Sequence, residues 1–160
     1  MGPPEGEVRA IAALERATTV PELIRETAVA LVELVDARAC AISRVLGDVL
    51  VLLSEYAPAG ESLQLGQGYL VTDYPLTQEV IRQCEPRSAS LLEADCDPEE
   101  AALLEALGFD SLLMVPMVVN EQCWALVEVY LRGQATLPRE QVTLVEGVVA
   151  RAGALVEQLS

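Results

Sequence analysis

The segment from Asp97 to Tyr130 constrains the fold more than any other, because it joins an acidic helical stretch to two apolar runs. Each run has roughly eight residues rich in Val, Leu and Met, a composition typical of buried strands. Polar residues at 120–122 separate the two runs where a hairpin loop would lie. The segment therefore predicts a short helix, a turn at Gly108 and a buried antiparallel hairpin.

The rest of the chain alternates between helical and strand-like patterns. The predicted parts are N-terminal helices over 7–36, a first hairpin over 38–57, cap segments over 58–110, a second hairpin over 111–131 and a C-terminal helix over 137–159. This order predicts a single α+β domain. We expect an antiparallel sheet of about five to six strands, with the terminal helices on one face and a helix-and-loop cap on the other.

Length and charge limit the classes of function. The chain has 160 residues, enough for one hydrophobic core, and its 10 basic and 25 acidic residues give a net charge of −15. Such a surface repels phosphate backbones and anionic lipid head groups, so we expect no nucleic-acid and no membrane partner. No apolar run approaches the roughly 20 residues that cross a bilayer, and the first residues lack a signal-peptide pattern. We therefore expect a cytoplasmic protein.

Four cysteines and the absence of histidine restrict metal and nucleophile chemistry. Cys40, Cys84, Cys96 and Cys123 are widely spaced and form no CxxC pair, so the sequence predicts no zinc site. Cys40 and Cys123 lie in apolar runs, where buried thiols are usual, whereas we expect Cys84 and Cys96 nearer the surface. The acidic neighbours of Cys96 should raise the pKa of its thiol and make it a poor nucleophile.

Three segments resemble the GAF family of ligand-binding regulatory domains. Residues 111–130 resemble its strand pair with the pattern SLLxVP…LVExY, residues 69–77 resemble its DYPxT segment, and residues 137–155 resemble its closing helix. The resemblance extends over about residues 7–158. It implies the sheet-and-cap architecture, and it implies that any ligand lies between the sheet and the cap.

The resemblance also implies which residues would line a ligand site. The candidates are Tyr69, Asp73, Tyr74, Thr77, Arg82, Trp124, Glu128 and Tyr130. Alternation along the last strand predicts that Trp124, Glu128 and Tyr130 share one face. Glu128 is a charge inside an apolar strand, so it needs a partner within the fold or contact with a wet cavity. A structural role and a ligand contact both remain open for it.

Two further candidates have structural alternatives. Asp73 resembles the aspartate of the Asp-Ile-Pro motif in phytochrome-type GAF domains, but Asp73 or Thr72 could instead cap the helix that follows, and we favour the cap. Arg82 could pair with an acidic ligand or with one of the glutamates at positions 79 and 85. On an exposed helix the pair between Arg82 and a glutamate is the commoner arrangement.

The two candidate tyrosines have alternatives of their own. Tyr69 and Tyr74 could belong to the core of the cap or to the wall of the pocket. Both lie in the segment that resembles the DYPxT pattern, so the resemblance places them near any ligand without separating these roles.

Specific chemistries of the family can be compared with the residues present. Tetrapyrrole-binding members carry a histidine where this chain has Glu99-Glu100, so we expect no bilin and no haem, and no other cofactor is identified. The cyclic-nucleotide signature is absent after Leu131. Free methionine sulfoxide reductases use clustered cysteines whose spacing this chain does not share. The carboxylates at 95–105, including Glu100, are interpreted as a solvated acidic helix and its approach.

The sequence therefore predicts a non-catalytic regulatory domain that senses a small-molecule ligand or transmits a signal. The alternative is a ligand-free homodimerisation module, in which the first and last helices of two copies pack together. Residues such as Leu14 and Leu155 would then belong to the interface. An enzyme of the methionine sulfoxide reductase type is the least favoured of the three.

Overall fold

The computed structural model describes residues 4–60 and 68–160, with side chains described for 5–60 and 70–160. The elements in chain order are α1 (Pro4–Glu15), α2 (Val20–Val35), β1 (Ala39–Leu46), β2 (Val49–Tyr56), β3 (Gly68–Leu70), a 3-10 turn (Val71–Asp73), α3 (Pro75–Gln83), β4 (Arg87–Ser90), α4 (Pro98–Leu107), β5 (Ser111–Val119), β6 (Gln122–Leu131) and α5 (Arg139–Leu159).

The six strands form one antiparallel sheet in the order β3-β2-β1-β6-β5-β4. The hairpin from β5 to β6 turns at Asn120 and Glu121, whose φ angles of 52° and 66° match the left-handed turn that suits the twist of two paired strands. The α+β fold with an antiparallel sheet of five to six strands is thereby confirmed.

The terminal helices cover one face of the sheet, called the helix side below. Helix α5 packs on α1, α2 and β5. The largest fully buried side chains of this core are Leu14, Leu23, Ile24, Leu31, Ile42 and Met117. Helix α5 is the longest at 21 residues, and among residues 4–60 and 68–160 no helix is long and apolar enough to span a bilayer.

The 3-10 turn, α3 and α4 lie on the opposite face and are called the cap. Their core includes Leu50, Leu104, Leu112, Met114, Leu126 and Tyr130. The prediction that the side chain of Asp73 or Thr72 caps α3 is wrong. Asp73 ends the 3-10 turn, and Tyr74 occupies the capping position without a side-chain hydrogen bond. Asp97 caps α4 instead, where its carboxylate accepts from the first-turn amides.

A bulge in β6 changes the face of the sheet to which the side chain of Trp124 points. Met117 pairs with Ala125 and Val118 pairs with Cys123, so Trp124 lies between two paired positions. The extra residue interrupts the alternation of faces. Trp124 packs against the helix-side core, with the guanidinium of Arg44 4.5 Å from its ring centre. The expectation that Trp124 shares the face of Glu128 is therefore wrong.

Candidate functional site

The cap side of the sheet has a row of polar and small residues across its central strands. Glu55 of β2 pairs with Ala41 of β1, Ala41 also pairs with Glu128 of β6, and Glu128 pairs with Met114 of β5. Residues that are directly opposite in neighbouring strands point to the same face. Ala41 therefore separates two glutamates, and its short side chain leaves the space above β1 to longer neighbours.

Glu128 and Tyr130 lie on this cap-side face, as the alternation along β6 predicts. Glu128 is 1% exposed, and the Tyr130 hydroxyl donates a hydrogen bond of 3.2 Å to its Oε2. The Tyr130 ring stacks on Phe109 with 5.1 Å between ring centres. Glu128 thus has a structural partner within its own strand, which does not exclude a further contact to a ligand.

Glu100 is a buried carboxyl that the sequence analysis misassigned. Its side chain is fully buried, and the Thr77 hydroxyl donates a hydrogen bond of 2.9 Å to Oε2, so the interpretation as a solvated residue is wrong. The threonine oxygen also lies 3.4 Å from the sulfur of Met114. The missed signal is helical spacing, since Glu100 lies one turn before the buried Leu104 on the same helix face.

The environment of Glu100 disfavours its charged form. The pKa of Glu100 is raised to about 7, chiefly by burial; the hydrogen bond from Thr77 opposes this shift, and the negative charges of Asp97 and Glu99 contribute to it. The second carboxyl oxygen, Oε1, is buried and has no hydrogen-bond partner among the described residues. A buried polar atom without a partner costs about 1–3 kcal/mol.

Ser43 is a second buried polar residue with an unmet hydrogen-bonding group. It pairs with Leu126 of β6 and is two residues beyond Ala41, so it lies on the cap side next to Glu128. Its Oγ is buried without a partner in the described part of the chain. Nothing in the sequence analysis singled out this residue, because a serine within a strand is unremarkable until its neighbours are known.

The remaining candidate site residues lie in different environments. Thr77 and the half-buried Tyr74 lie with Glu100, and burial raises the pKa of Tyr74, with the charge of Glu100 as the next cause. Asp73 and Arg82 are exposed. The side chain of Tyr69 lies outside the described residues, although its backbone belongs to β3.

The ion pairs expected of Arg82 are made by a different residue. Arg87 contacts Glu79 and Glu85, each at 3.3 Å, so the expected pairing of these glutamates with Arg82 is wrong. The physical reason is position, because Arg87 opens β4 beside the C-terminal end of α3, within reach of both carboxylates. The binding role assigned to Arg82 stays a prediction.

A cavity of about 350 Å³ lies beside this site, at the ends of the strands. Phe109, which stacks on Tyr130, forms part of its wall, and the guanidinium of Arg132 lies 5.3 Å from the ring centre of Phe109. Its other lining residues are Asp36, Ala37, Arg38, Ala57, Pro58, Ala59 and Gln134. Two rings therefore separate this cavity from the carboxylate of Glu128.

The cysteines do not form a reactive cluster. Cys40 is buried and Cys84 is exposed, whereas Cys96 and Cys123 are intermediate. Burial raises the pKa of Cys123 to about 12 and also raises the pKa of Cys40 and Cys96, which disfavours the nucleophilic thiolate. Among the described residues, no group of three or more histidine, cysteine or acidic side chains is placed to hold a metal ion.

Several solved structures with a similar fold come from phytochromes. The phytochrome photosensory core module of Stigmatella aurantiaca has a TM-score of 0.82 at 14% identity, covering 96% of this chain and 36% of that one. The chromophore-binding domain of a bacteriophytochrome from R. palustris has a TM-score of 0.83 at 11% identity, covering 97% and 61%. This chain thus spans less than two thirds of either.

One similar structure holds a bilin. The far-red absorbing dark state of JSC1_58120g3 contains bound biliverdin IXa, with a TM-score of 0.80 at 15% identity, covering 96% of this chain and 98% of that one. Our expectation that a bilin is ruled out by the missing histidine is therefore wrong. The architecture that this chain has is one that accommodates a bilin in another protein, and one missing residue type is no measure of what the fold can hold.

Sequence comparisons complete the assignment. Among curated proteins no match is found. The family model of the GAF domain, in contrast, matches residues 19–156, which include every described strand, helices α2 to α4 and most of α5. The segments that carried the resemblance lie inside this range. This chain belongs to the GAF domain family.

Proposed function

We propose that this protein is a non-catalytic regulatory GAF domain that binds a small-molecule ligand between the cap and the sheet. The observation that carries the proposal is the position of its buried charges. Among residues 5–60 and 70–160 the buried carboxyl residues are Glu100 and Glu128, and both lie on the cap side. The family is one of regulatory sensor domains, which supports a sensing role.

Buried carboxyls rarely stabilise a fold. Replacing buried charged groups by apolar residues of similar volume is often neutral or stabilising, so two of them on one face favour a role other than stability. The helix-side core holds the fold with apolar side chains. A ligand that supplies partners to the cap-side groups would offset the cost of burying them.

Ligand binding would act on the hydrogen bond that joins the two cap helices. Thr77 belongs to α3 and Glu100 to α4, so their 2.9 Å contact links the helices across the cap. Helix α3 also packs on β5, which carries α5 on its other face. A ligand that prefers one arrangement of α3 and α4 would shift the population of cap conformations and reach α5 through β5.

Native mass spectrometry tests the proposal. The purified chain is measured under gentle conditions and again after denaturation, with and without added biliverdin, which is the first compound to try because a similar structure contains it. We expect a one-to-one adduct that Glu128→Gln weakens and that Glu121→Gln, an exposed control in the hairpin turn, leaves unchanged. An apo spectrum under all conditions, with no change on adding biliverdin, would contradict a sensing role.

Homodimerisation through the terminal helices stays a prediction. Leu14 and Leu155 are buried within one chain, at 1% and 8% exposure, so charges there would disrupt the core before they reported on an interface. Val8 of α1 is 64% exposed and tests the prediction better. If the helices pair, Val8→Glu halves the native mass, while Leu92→Glu, an equally exposed control outside the terminal helices, does not.

A further inference from the structure

We propose that the cap-side site takes a ligand with a protonated nitrogen, such as an ammonium or an amidinium group, and that Glu100 is its main anchor. The inference rests on the proposed function and makes it more specific. It names the chemical class of the ligand and the residue that selects it.

The first support is the unequal use of the two Glu100 oxygens. Oε2 accepts a hydrogen bond from Thr77, whereas Oε1 is buried and accepts none in the described part of the chain. The hydrogen bond from Thr77 and the complete burial of the side chain hold this carboxyl in place. A fixed acceptor without a donor is the feature that an N–H group of a ligand would complete.

The second support comes from a different element. The Oγ of Ser43 on β1 is also buried without a partner in the described residues. Ser43 lies diagonally across from Glu128 in the strand register, so it faces the same side of the sheet. Both unmet polar atoms, one from a helix and one from a strand, lie on the cap side, which fits a ligand that donates more than one hydrogen bond.

The charges around Glu100 determine whether a positive or a negative ligand group is favoured there. Besides burial, the charges that raise the pKa of Glu100 are those of Asp97 and Glu99, and the charges that raise the pKa of Tyr74 beside it are those of Glu100, Asp73, Glu99 and Glu128. The ion pairs among the described residues use Arg87 and Arg151, and neither contacts Glu100. An anionic group would be repelled by these carboxylates, whereas a cation would be attracted.

Proton linkage follows from the same arrangement. The pKa of Glu100 is about 7 in the free protein, because burial disfavours the carboxylate. A cation binds to the ionised form, so the protein must release the Glu100 proton when it binds below this pKa. The ionised fraction rises about tenfold between pH 6 and pH 8, and the affinity for a cation should rise by about the same factor.

A matched set of probes tests the class directly. Benzamidine, benzamide and benzoate have the same ring and nearly the same size, and they differ in being positive, neutral and negative. Their binding to the full chain is measured by NMR titration at pH 6 and pH 8. We expect benzamidine alone to bind saturably, to shift the resonances of Thr77 and Ser43, and to bind about tenfold more tightly at pH 8.

Paired variants assign the effect to one carboxyl. Glu100→Gln should weaken benzamidine binding at least tenfold and abolish its pH dependence, while Glu105→Gln, which removes an exposed carboxyl from the same helix, should leave both nearly unchanged. Near-identical NMR spectra of the two variants elsewhere in the chain establish that both are folded. Benzamidine binding that Glu100→Gln does not weaken would overturn the assignment of the anchor.

The remaining outcomes separate this inference from the proposed function. Equal or tighter binding of benzoate, or no saturable binding of benzamidine at either pH, would overturn the ligand class. A co-purified ligand without a protonated nitrogen would do the same, yet it would leave the sensing role intact. Failure of the proposed function instead requires the absence of any ligand in the native mass spectra.

Discussion

The helix side and the cap side of the sheet pack in different ways. On the helix side, α5 approaches β5 so closely that a Cβ added to Gly153 would lie 2.5 Å from the carbonyl oxygen of Val118. On the cap side, β1 presents the small residues Ala39, Ala41 and Ser43 before Val45, and helix α4 carries a buried carboxyl. Close apolar packing therefore serves stability on one face, and the other face keeps polar groups that a ligand can use.

The two faces should respond in opposite directions to substitution. Adding atoms to the helix side strains a contact between backbone segments, which relax poorly. Removing a charge from the cap side relieves a desolvation cost and should stabilise the ligand-free domain. Stability measurements on paired variants therefore test whether the two faces differ in this way.

The largest effect is expected at the contact between α5 and β5. Gly153→Ala places a Cβ against the Val118 carbonyl, which is fixed in the sheet, and we expect a loss of about 3 kcal/mol in the free energy of unfolding. Gly147→Ala in the same helix is the control, since its Cβ would meet only the flexible side chain of Glu7. Urea denaturation that shows equal effects for both would remove the evidence for a rigid helix side.

The next effect has the opposite sign and depends on pH. The pKa of Glu100 is raised in the folded state, to about 7 from 4.5, so the folded protein holds the proton more tightly and loses stability as pH rises between these values. Glu100→Gln removes this loss. The stability of the variant relative to the native chain should increase by about 2 kcal/mol between pH 5 and pH 8. A pH-independent difference in urea midpoints would contradict a buried, ionisable Glu100.

A smaller effect tests the link between the two cap helices. Thr77→Val keeps the shape of the side chain but removes the donor to Glu100. Since hydrogen bonds to charged groups are the stronger ones, we expect a loss of about 1.5 kcal/mol at pH 8 and a smaller loss at pH 5. The exposed Thr72→Val serves as control. If both variants cost the same, the hydrogen bond does not join the cap helices in solution.

The sheet could be predicted from the sequence because its central strands obey local rules. The β5 and β6 runs are apolar and rich in Val and Leu, and the polar turn between them adopts the left-handed angles that two-residue hairpins need. The terminal helices showed their apolar faces at helical spacing. Glu128 and Tyr130 were placed on the cap side correctly, since they follow the bulge and keep the period of two.

The errors occurred where tertiary context overrides local pattern. One extra residue in β6 turns Trp124 to the helix side, and no single-residue preference predicts that bulge. Composition groups Glu100 with its acidic neighbours, whereas the helix face that it shares with Leu104 indicates a buried position. The unmet oxygens of Glu100 and Ser43 depend on contacts between distant segments, so periodicity could not have predicted them.

The smallest expected effect asks whether charge contributes to the helix side at all. Arg151 of α5 contacts Glu15 of α1 at 2.7 Å, but both side chains are at least one-third exposed, at 36% and 46%. Exposed pairs are weak and screened, so Arg151→Ala should cost about 0.5 kcal/mol at low salt and almost nothing near 1 M salt. Glu15→Gln, alone and combined with Arg151→Ala, completes a double-mutant cycle measured by urea denaturation. A coupling energy above about 1 kcal/mol that persists in high salt would show that this ion pair stabilises the helix side. The helix side would then no longer depend on apolar packing alone, and its contrast with the charged cap side would no longer hold.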